Sequence, residues 1–468
     1  MKPDPIRAQE KKSLSLQDCI EIAIENNLTV RRSQLNLASS KVDLMQSKGQ
    51  RYPTLNAGGN YGFNWGRAID PTSNLFVNQR INFNGLNGSS NLALFQGRQL
   101  TNTIRQNKLN VAASQQDVAR SINDISLSVA LTYLNVILNM ELLQNAKFQL
   151  ASSEEQLDRT KKLVASGALP ISNELQLVSQ QATNEVSVIN AENNLDLARL
   201  DLKQSLLLPP GEEIAIVVPE IEVEEDQEKI TSSSIEEIYQ FSMGNQPEIK
   251  SADLRVQSAG VGLQVSRGAL YPSLGLNGGF STNFSDQLKQ FGRNDFTISG
   301  FDTTQFTTVS GEAIVEPSVE TTGEGTTVPL STQYSDNFNY SVSLGLSIPI
   351  FNGFSTRANI QRAKIGVQQA EINAVEERNA LYQSIETAYR NAVAASKTYS
   401  ASKKQVTALE ETFRSVENQY NLGAANFTDY QVAGNNLFQA NSDLARAKYD
   451  FIFRQKVLEF YQGKPLSF

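Results

Sequence analysis

The 468-residue chain is 40% hydrophobic and 8% aromatic, a lean supply for a large compact core. With no histidine and a single cysteine, it has no intrachain disulfide, no clustered zinc ligands and no imidazole base, so catalysis is a poor first expectation. A net charge of −8 without clustered Lys or Arg argues against nucleic acid. No run of about 18 to 20 apolar residues marks a membrane-spanning helix, whereas a β-barrel, whose strands alternate, stays open.

Residues 1–10 are polar and include Pro3 and Pro5, so the chain as it stands lacks the apolar core of a secretory signal. Residues 14–49 read as helix. Cys19 follows Leu16-Gln17-Asp18 and reads as a small buried hydrophobe, not as a lipidation site. Beyond Pro53 the period becomes two. Leu55, Ala57, Gly59, Tyr61, Phe63 and Trp65 share one face, and Thr54, Asn56, Gly58, Asn60, Gly62 and Asn64 the other. A weaker strand before Phe95 has only Leu86, Leu92 and Leu94 in phase.

From Arg98 to Ala165 there is neither proline nor glycine, and every seventh residue from Ile122 is apolar: Val129, Val136, Leu143, Leu150, Leu157 and Val164. The companion positions Val118, Ile125, Thr132, Asn139, Ala146, Ser153 and Thr160 are mostly small or polar and permit close helix approach. At about 1.5 Å per residue this predicts a rod of about 100 Å. Gly167-Ala168-Leu169-Pro170 ends it, and a shorter helix returns over 172–206. Pro209-Pro210-Gly211 opens a linker over 211–234, with a short strand at 214–218 and a solvated acidic run at 220–228.

The same order then recurs. Helix is predicted over 235–268, followed by a strand with Leu274, Leu276, Phe280 and Phe284 opposite Asn277, Ser281 and Asn283. Residues 285–336, rich in Thr, Ser and Gly and without periodicity, predict a long surface loop. Phe338, Tyr340, Val342, Leu344, Leu346, Ile348 and Ile350 then alternate with Asn339, Ser341, Ser343, Gly345 and Ser347. A second rod carries Ile385, Ala392, Tyr399, Val406, Phe413 and Tyr420, and turns at Gly423-Ala424-Ala425-Asn426 into a return helix over 428–461.

The recurrence is a duplication. Tyr52-Pro53-Thr54-Leu55 returns 219 positions later as Tyr271-Pro272-Ser273-Leu274 (52 to 271), and Phe95-Gln96-Gly97 returns 256 positions later as Phe351-Asn352-Gly353 (95 to 351). The change of offset (256 − 219 = 37) locates an insertion of 37 residues in the 285–336 segment. The first repeat spans 14–210 and the second 235–462.

Alternation alone also fits half-buried strands of a soluble sandwich. Two features favour lipid on one face and water on the other. The aromatic groups Tyr61, Phe63, Trp65 and Phe338, Tyr340 border the loops as an interfacial girdle does, and the opposite face (Asn56, Asn60, Asn64, Asn277, Ser341, Ser343) is small and neutral, as a lumen requires. The apolar faces Tyr61, Phe63, Trp65 and Phe338, Tyr340, Val342, Leu344, Leu346 are then lipid-facing. Four strands cannot close a barrel, so the edges require other subunits.

With these marks the chain resembles the TolC-like outer-membrane efflux protein family over nearly its whole length. The resemblance rests on the Tyr-Pro strands at Tyr52 and Tyr271, on Pro349-Ile350-Phe351-Asn352-Gly353, and on Asn436-Leu437-Phe438-Gln439-Ala440 followed by Leu444-Ala445-Arg446-Ala447-Lys448-Tyr449-Asp450. It implies a mainly α fold with β: a tandem-duplicated helix, strand, strand and long helical hairpin. It also implies a homotrimer that forms a 12-stranded outer-membrane β-barrel continuous with a periplasmic α-helical barrel. It further implies a passive channel subunit of a tripartite efflux pump or related secretion system, with no enzyme activity, no cofactor and no metal. By the same resemblance the hairpin tips Gly167, Leu169, Pro170, Gly423, Ala424 and Asn426 meet a periplasmic adaptor, which couples the duct to an inner-membrane pump. Asp429 matches a gate carboxylate, while Val432 stands where a second often lies and Ala425 replaces a basic residue. Drug, metal and protein export are not separated by these residues. A different-class alternative is a structural coiled-coil scaffold or surface fibre, with a soluble β cap and no conductance.

Overall fold

The computed structural model describes residues 12–69, 74–78, 80–209, 211, 214–219, 234–292, 295–323 and 325–464. The first repeat contributes β1 (Lys12–Leu14), α1 (Leu16–Asn26), α2 (Leu28–Gly49), β2 (Thr54–Asn64), β3 (Arg67–Ile69), β4 (Phe76–Asn78), β5 (Ile81–Gln96), α3 (Gln99–Ala165) and α4 (Ile171–Leu206). After β6 (Ile214–Ile216), the second contributes α5 (Ile235–Asn245), α6 (Pro247–Gly268), β7 (Ser273–Ser285), β8 (Lys289–Gln290), β9 (Phe296–Thr307), β10 (Ala313–Thr321) and β11 (Thr326–Thr327). It ends with α7 (Leu330–Asp336), β12 (Asn339–Ser347), α8 (Ser355–Asn421) and α9 (Phe427–Tyr461). The chain divides into two compact units. One is helical and holds the chain up to Leu44, Arg105–Gly260 and everything from Lys364; the other, Met45–Ile104 and Val261–Ala363, holds the main sheet.

The buried residues of the helical unit form two main clusters, and the first also takes Tyr449 and Ile452 from α9 of the second repeat. In the first, Leu16, Cys19, Ile20 and Ala23 of α1 meet Val129, Tyr133, Val136 and Ile137 of α3 and Leu195, Ala198, Leu202 and Leu206 of α4. In the second, Ile238 of α5 and Ile249 of α6 meet Leu381, Ile385, Ala392 and Ala395 of α8 and Phe451 and Leu458 of α9. The heptad seam is thus the buried stripe, and a fully buried Leu or Ile contributes about 1.5 to 3 kcal/mol. The small companion positions Ser153 and Thr160 are buried too, as close helix approach requires. One window of α3 is apolar enough to cross a membrane by length and composition, and α3 supplies much of this core. Cys19 is a free, buried thiol, and burial pushes it up to about 12, with Asp18 adding to the effect. The expected short strand at 214–218 exists as β6, which pairs in parallel with β1. Tyr133 ties this pair down by donating its hydroxyl to the carbonyls of Val217 and Leu14. The acidic run 220–228 and residues 1–10 lie outside the described residues.

Two helix expectations need correction. The segment 14–49 is broken at Asn27, whose backbone is extended (φ −64°, ψ 125°) and whose Oδ1 accepts from the Thr29 and Val30 amides, capping α2. The segment 235–268 breaks at the equivalent Gln246, which precedes Pro247; a residue before proline is driven out of the helical region. Both α1 and α5 start with a capping box, Ser15 with Asp18 and Ser234 with Glu237. These boxes stand at the same 219-residue offset (15 to 234).

The sheet unit is a four-stranded antiparallel sheet in the order β12-β7-β5-β2. The segment 285–336, expected as a loop, instead carries the antiparallel hairpin β9–β10, the small pair β8–β11 and the helix α7. Two register shifts in the hairpin and the short lengths of β8, β11 and α7 blur any single period in the sequence. Gln333 of α7 is fully buried and bonds both the amide and the carbonyl of Ser285, fixing the helix to the end of β7.

Each strand-to-rod junction uses two successive left-handed residues, Gly97-Arg98 (φ 56°, 64°) and Gly353-Phe354 (φ 61°, 63°). They differ in surroundings. A Cβ on Gly97 would sit 2.1 Å from the Gly268 carbonyl oxygen, whereas one on Gly353 meets nothing within 4 Å. Gly353→Ala is expected to cost about 1 to 2 kcal/mol, the left-handed penalty alone, and Gly97→Ala about 3 kcal/mol or more, because backbone must also shift. Urea unfolding of the two variants side by side measures the gap; equal midpoints would contradict this account.

Candidate functional site

Strand register decides which side chains share a face, because directly opposed residues of an antiparallel pair point the same way. Tyr61 lies opposite Asn84, Gly88 opposite both Ala57 and Phe280, Phe280 opposite Tyr340, Leu276 opposite Leu344, and Leu274 opposite Leu346. One face of the sheet therefore gathers Leu55, Tyr61 and Phe63 of β2, Leu86 and Leu92 of β5, Leu276 and Phe280 of β7, and Tyr340, Val342, Leu344 and Leu346 of β12. This face is exposed: Tyr340, Val342, Leu344 and Leu346 keep 77%, 75%, 65% and 64% of their surface. Trp65 and Phe338, just beyond the strands, join ring contacts with Phe63 at 5.9 Å, and with Phe280 at 6.1 Å and Tyr340 at 6.3 Å. The Arg80 guanidinium lies 5.4 Å from the Phe63 ring centre.

The opposite face brings together the six small polar residues expected there. Asn56 faces Ser89, Asn60 faces Gly85, Asn64 faces Ile81, Asn277 faces both Asn91 and Ser343, and Ser341 faces Gly279. Sequence reasoning missed Asn87, Ser89 and Asn91, the β5 share of this face. Gly85 and Gly88 dilute the alternation of β5, and a bulge between Ala93 and Phe95 shifts its phase. The same bulge corrects one expectation: Phe95, not Leu94, lies opposite Leu274. Both outer strands, β2 and β12, are edges of this sheet.

The hairpin tips, in the helical unit, are near copies of each other. Gly167 (φ 76°) and Gly423 (φ 77°) end α3 and α8 in the left-handed conformation. At each, the next amide reaches back into the last turn: Ala168 N donates to Leu163 O at 2.9 Å, and Ala424 N to Gln419 O at 2.8 Å. Pro170 holds the cap position of α4 without a side-chain bond, whereas Asn426 caps α9 by accepting from the Asp429 amide at 2.9 Å. Gly167, Pro170, Gly423, Ala424, Asn426 and Asp429 are exposed, and Leu169 is half-buried. A Cβ on either tip glycine would meet nothing within 4 Å, so backbone angle and not space calls for glycine. Asp429 shares its helix face with Val432, one turn on, which is 53% exposed.

Just behind the tips the two hairpins are joined by bonds that no sequence pattern announces. Gln156 of α3 donates to the Tyr430 hydroxyl at 2.9 Å, and Gln431 of α9 donates to Gln180 of α4 at 3.1 Å. The Tyr430 ring stacks on Tyr420 at 5.0 Å and on Phe413 at 5.4 Å. Burial pushes its phenol up to about 12, with Glu417 contributing. Phe427 closes a small core with Leu157 and Leu177.

Large exposed apolar side chains also run along single helices. On α4 they are Ile171, Leu175, Val178, Val186, Ile189, Leu197 and Leu200, an 11-residue repeat; on α2 they are Leu28, Leu35, Val42 and Met45. Contiguous exposed apolar stripes mark surfaces that a partner covers. A search for heptads alone overlooks the α4 stripe, because its period is 11.

Comparison with known proteins agrees with this picture. A family model described as outer membrane efflux protein matches residues 19–206 and 238–463, one match per repeat. The outer membrane protein TolC of Escherichia coli K12 is 22% identical over 387 residues, covering 80% of this chain and 69% of TolC. The cation efflux system protein CusC of Escherichia coli O157:H7 is 22% identical over 440 residues, covering 92% of this chain and 82% of CusC. The crystal structure of VceC from Vibrio cholerae superposes with a TM-score of 0.73 at 14% identity, covering 97% of both chains. A CusC crystal structure gives the same score at 18% identity, covering 99% of this chain and 97% of the other. This chain belongs to the outer membrane efflux protein family.

Proposed function

We propose that three copies of this chain close their sheets edge to edge into one barrel in the outer membrane and act as a passive export duct. The observation that carries this is the four-stranded sheet with two open edges, an exposed apolar face and an opposite face of Asn, Ser and Gly. In hydrocarbon an unpaired backbone group costs several kcal/mol, so both edges must find partners. Every neighbouring pair in β12-β7-β5-β2 is antiparallel, so β2 of one copy beside β12 of the next continues the alternation without a break. Three four-stranded copies give twelve strands, with Asn56, Asn60, Asn64, Asn277, Ser341 and Ser343 lining water. The apolar stripes of α2 and α4 are then subunit seams, and the helices continue the duct across the periplasm. TolC-like membership favours this reading over a coiled-coil scaffold.

Export in this reading involves no bond chemistry in the chain. It serves a tripartite efflux pump or a related secretion system, whose inner-membrane pump supplies the energy and whose periplasmic adaptor meets the tips at Gly167, Leu169, Pro170, Gly423, Ala424 and Asn426. Exposed small residues at the tips let a partner backbone approach closely. Asp429, in the first turn of α9 at the second tip, places one carboxylate per copy at the narrow end. Val432, one turn on, adds no second carboxylate on that face.

Two substitutions test these assignments. Leu344→Arg puts a charge on the proposed lipid face at a cost of about 2 to 4 kcal/mol per copy near mid-bilayer. It is expected to abolish the assembled form in outer-membrane fractions, and normal assembly would remove Leu344 from that face. Gly423→Asp keeps a residue type that tolerates left-handed backbone and meets open space, so the assembly should form while transport through the complex falls at least tenfold. Unchanged transport would count against the tip as the docking point.

A further inference from the structure

The 37-residue excess of the second repeat folds into an element that cannot stand alone. Hairpin β9–β10 pairs with no other strand among the described residues, and an isolated two-stranded ribbon is marginal in water. Its faces are segregated. Val315 lies opposite Thr303, Pro317 opposite Phe301 and Val319 opposite Ile298, so Ile298, Phe301, Val315, Pro317 and Val319 share one side. Glu316 opposite Asp302 and Glu320 opposite Thr297 occupy the other, which Ile314 shares on its own strand. The apolar side is bare: Ile298 is 58% exposed, Phe301 67%, Val315 53% and Val319 53%.

We propose that in the assembled barrel these apolar faces pack on one another and cap the loop end of the duct, leaving the acidic faces in water. The inference rests on the three-copy barrel reading. The register puts the end of β7, the start of β12, the end of β2 and the start of β5 at one end of the sheet, so every copy delivers its hairpin to the same mouth. A membrane surface is the wrong occupant for the apolar face. From Asp295 to Asp336 the chain has seven acidic residues and no Lys or Arg, and an anionic lipid surface repels such a segment. A second copy meets it with an equally apolar, uncharged face, while Asp302, Glu316 and Glu320 stay on the far side, where like charges keep their hydration. The cap closes the loop-end mouth of the barrel, and export requires it to part.

Single-cysteine variants of the full chain, extracted in detergent and treated with copper phenanthroline, test this. Cys19 is fully buried and the unmodified chain under the same oxidant is the control. Phe301→Cys is expected to give disulfide-linked dimers in most of the sample on non-reducing electrophoresis, and Glu316→Cys to remain single chains. Phe301→Asp is expected to raise the open fraction of single channels several-fold. A sample with the mass of three chains in which Phe301→Cys fails to cross-link, or in which Glu316→Cys links instead, overturns the cap and leaves the barrel standing. A sample with the mass of one chain overturns the barrel and the cap with it.

Discussion

Backbone amides and carbonyls in hydrocarbon have no water to fall back on, and each one left unpaired costs several kcal/mol. That constraint bears on β2 and β12, which carry the free edges of a sheet whose one face is apolar and uncovered. A soluble protein of this size would bury such a face or blunt such edges. Here the edges are long, 11 residues in β2 and 9 in β12, and the face is walled by Tyr, Phe and Leu. The proposed ring satisfies the edges and the face together. It also explains why the other face is built from Asn, Ser and Gly, which hydrate without adding net charge.

Duplication supplies the rest of the architecture economically. Capping boxes at Ser15 and Ser234, breaks at Asn27 and Gln246, left-handed pairs at Gly97-Arg98 and Gly353-Phe354, and tip glycines at 167 and 423 recur in register. The copies have nevertheless diverged. Only the second carries the β9–β10 hairpin, and only the second tip has an asparagine cap with a carboxylate one turn inside it. Bonds from Gln156 to Tyr430 and from Gln431 to Gln180 then couple the unlike hairpins just behind their tips.

Much of this was legible in the sequence because its signals are long and local. Alternation over β2, β7 and β12 identified both faces residue by residue, and the absence of Pro and Gly from Arg98 to Ala165 set the ends of α3 almost to the residue. What escaped had a physical reason. Strand β5 hides its phase behind two glycines and a bulge, and the hairpin within 285–336 hides behind two register shifts of its own. The break at Gln246 was announced by Pro247 and could have been read; the break at Asn27 depends on a side-chain cap that many mid-helix asparagines do not make. The Gln and Tyr bonds between hairpins depend on tertiary juxtaposition, which periodicity does not encode.

The central claim is that the open sheet is one third of a membrane barrel. Its most direct test is the mass of the detergent-extracted protein together with single-channel recording of the same sample in a planar bilayer. The account predicts the mass of three chains and discrete conductance steps. A protein that stays monodisperse without detergent, at the mass of one chain and with no conductance, would contradict it.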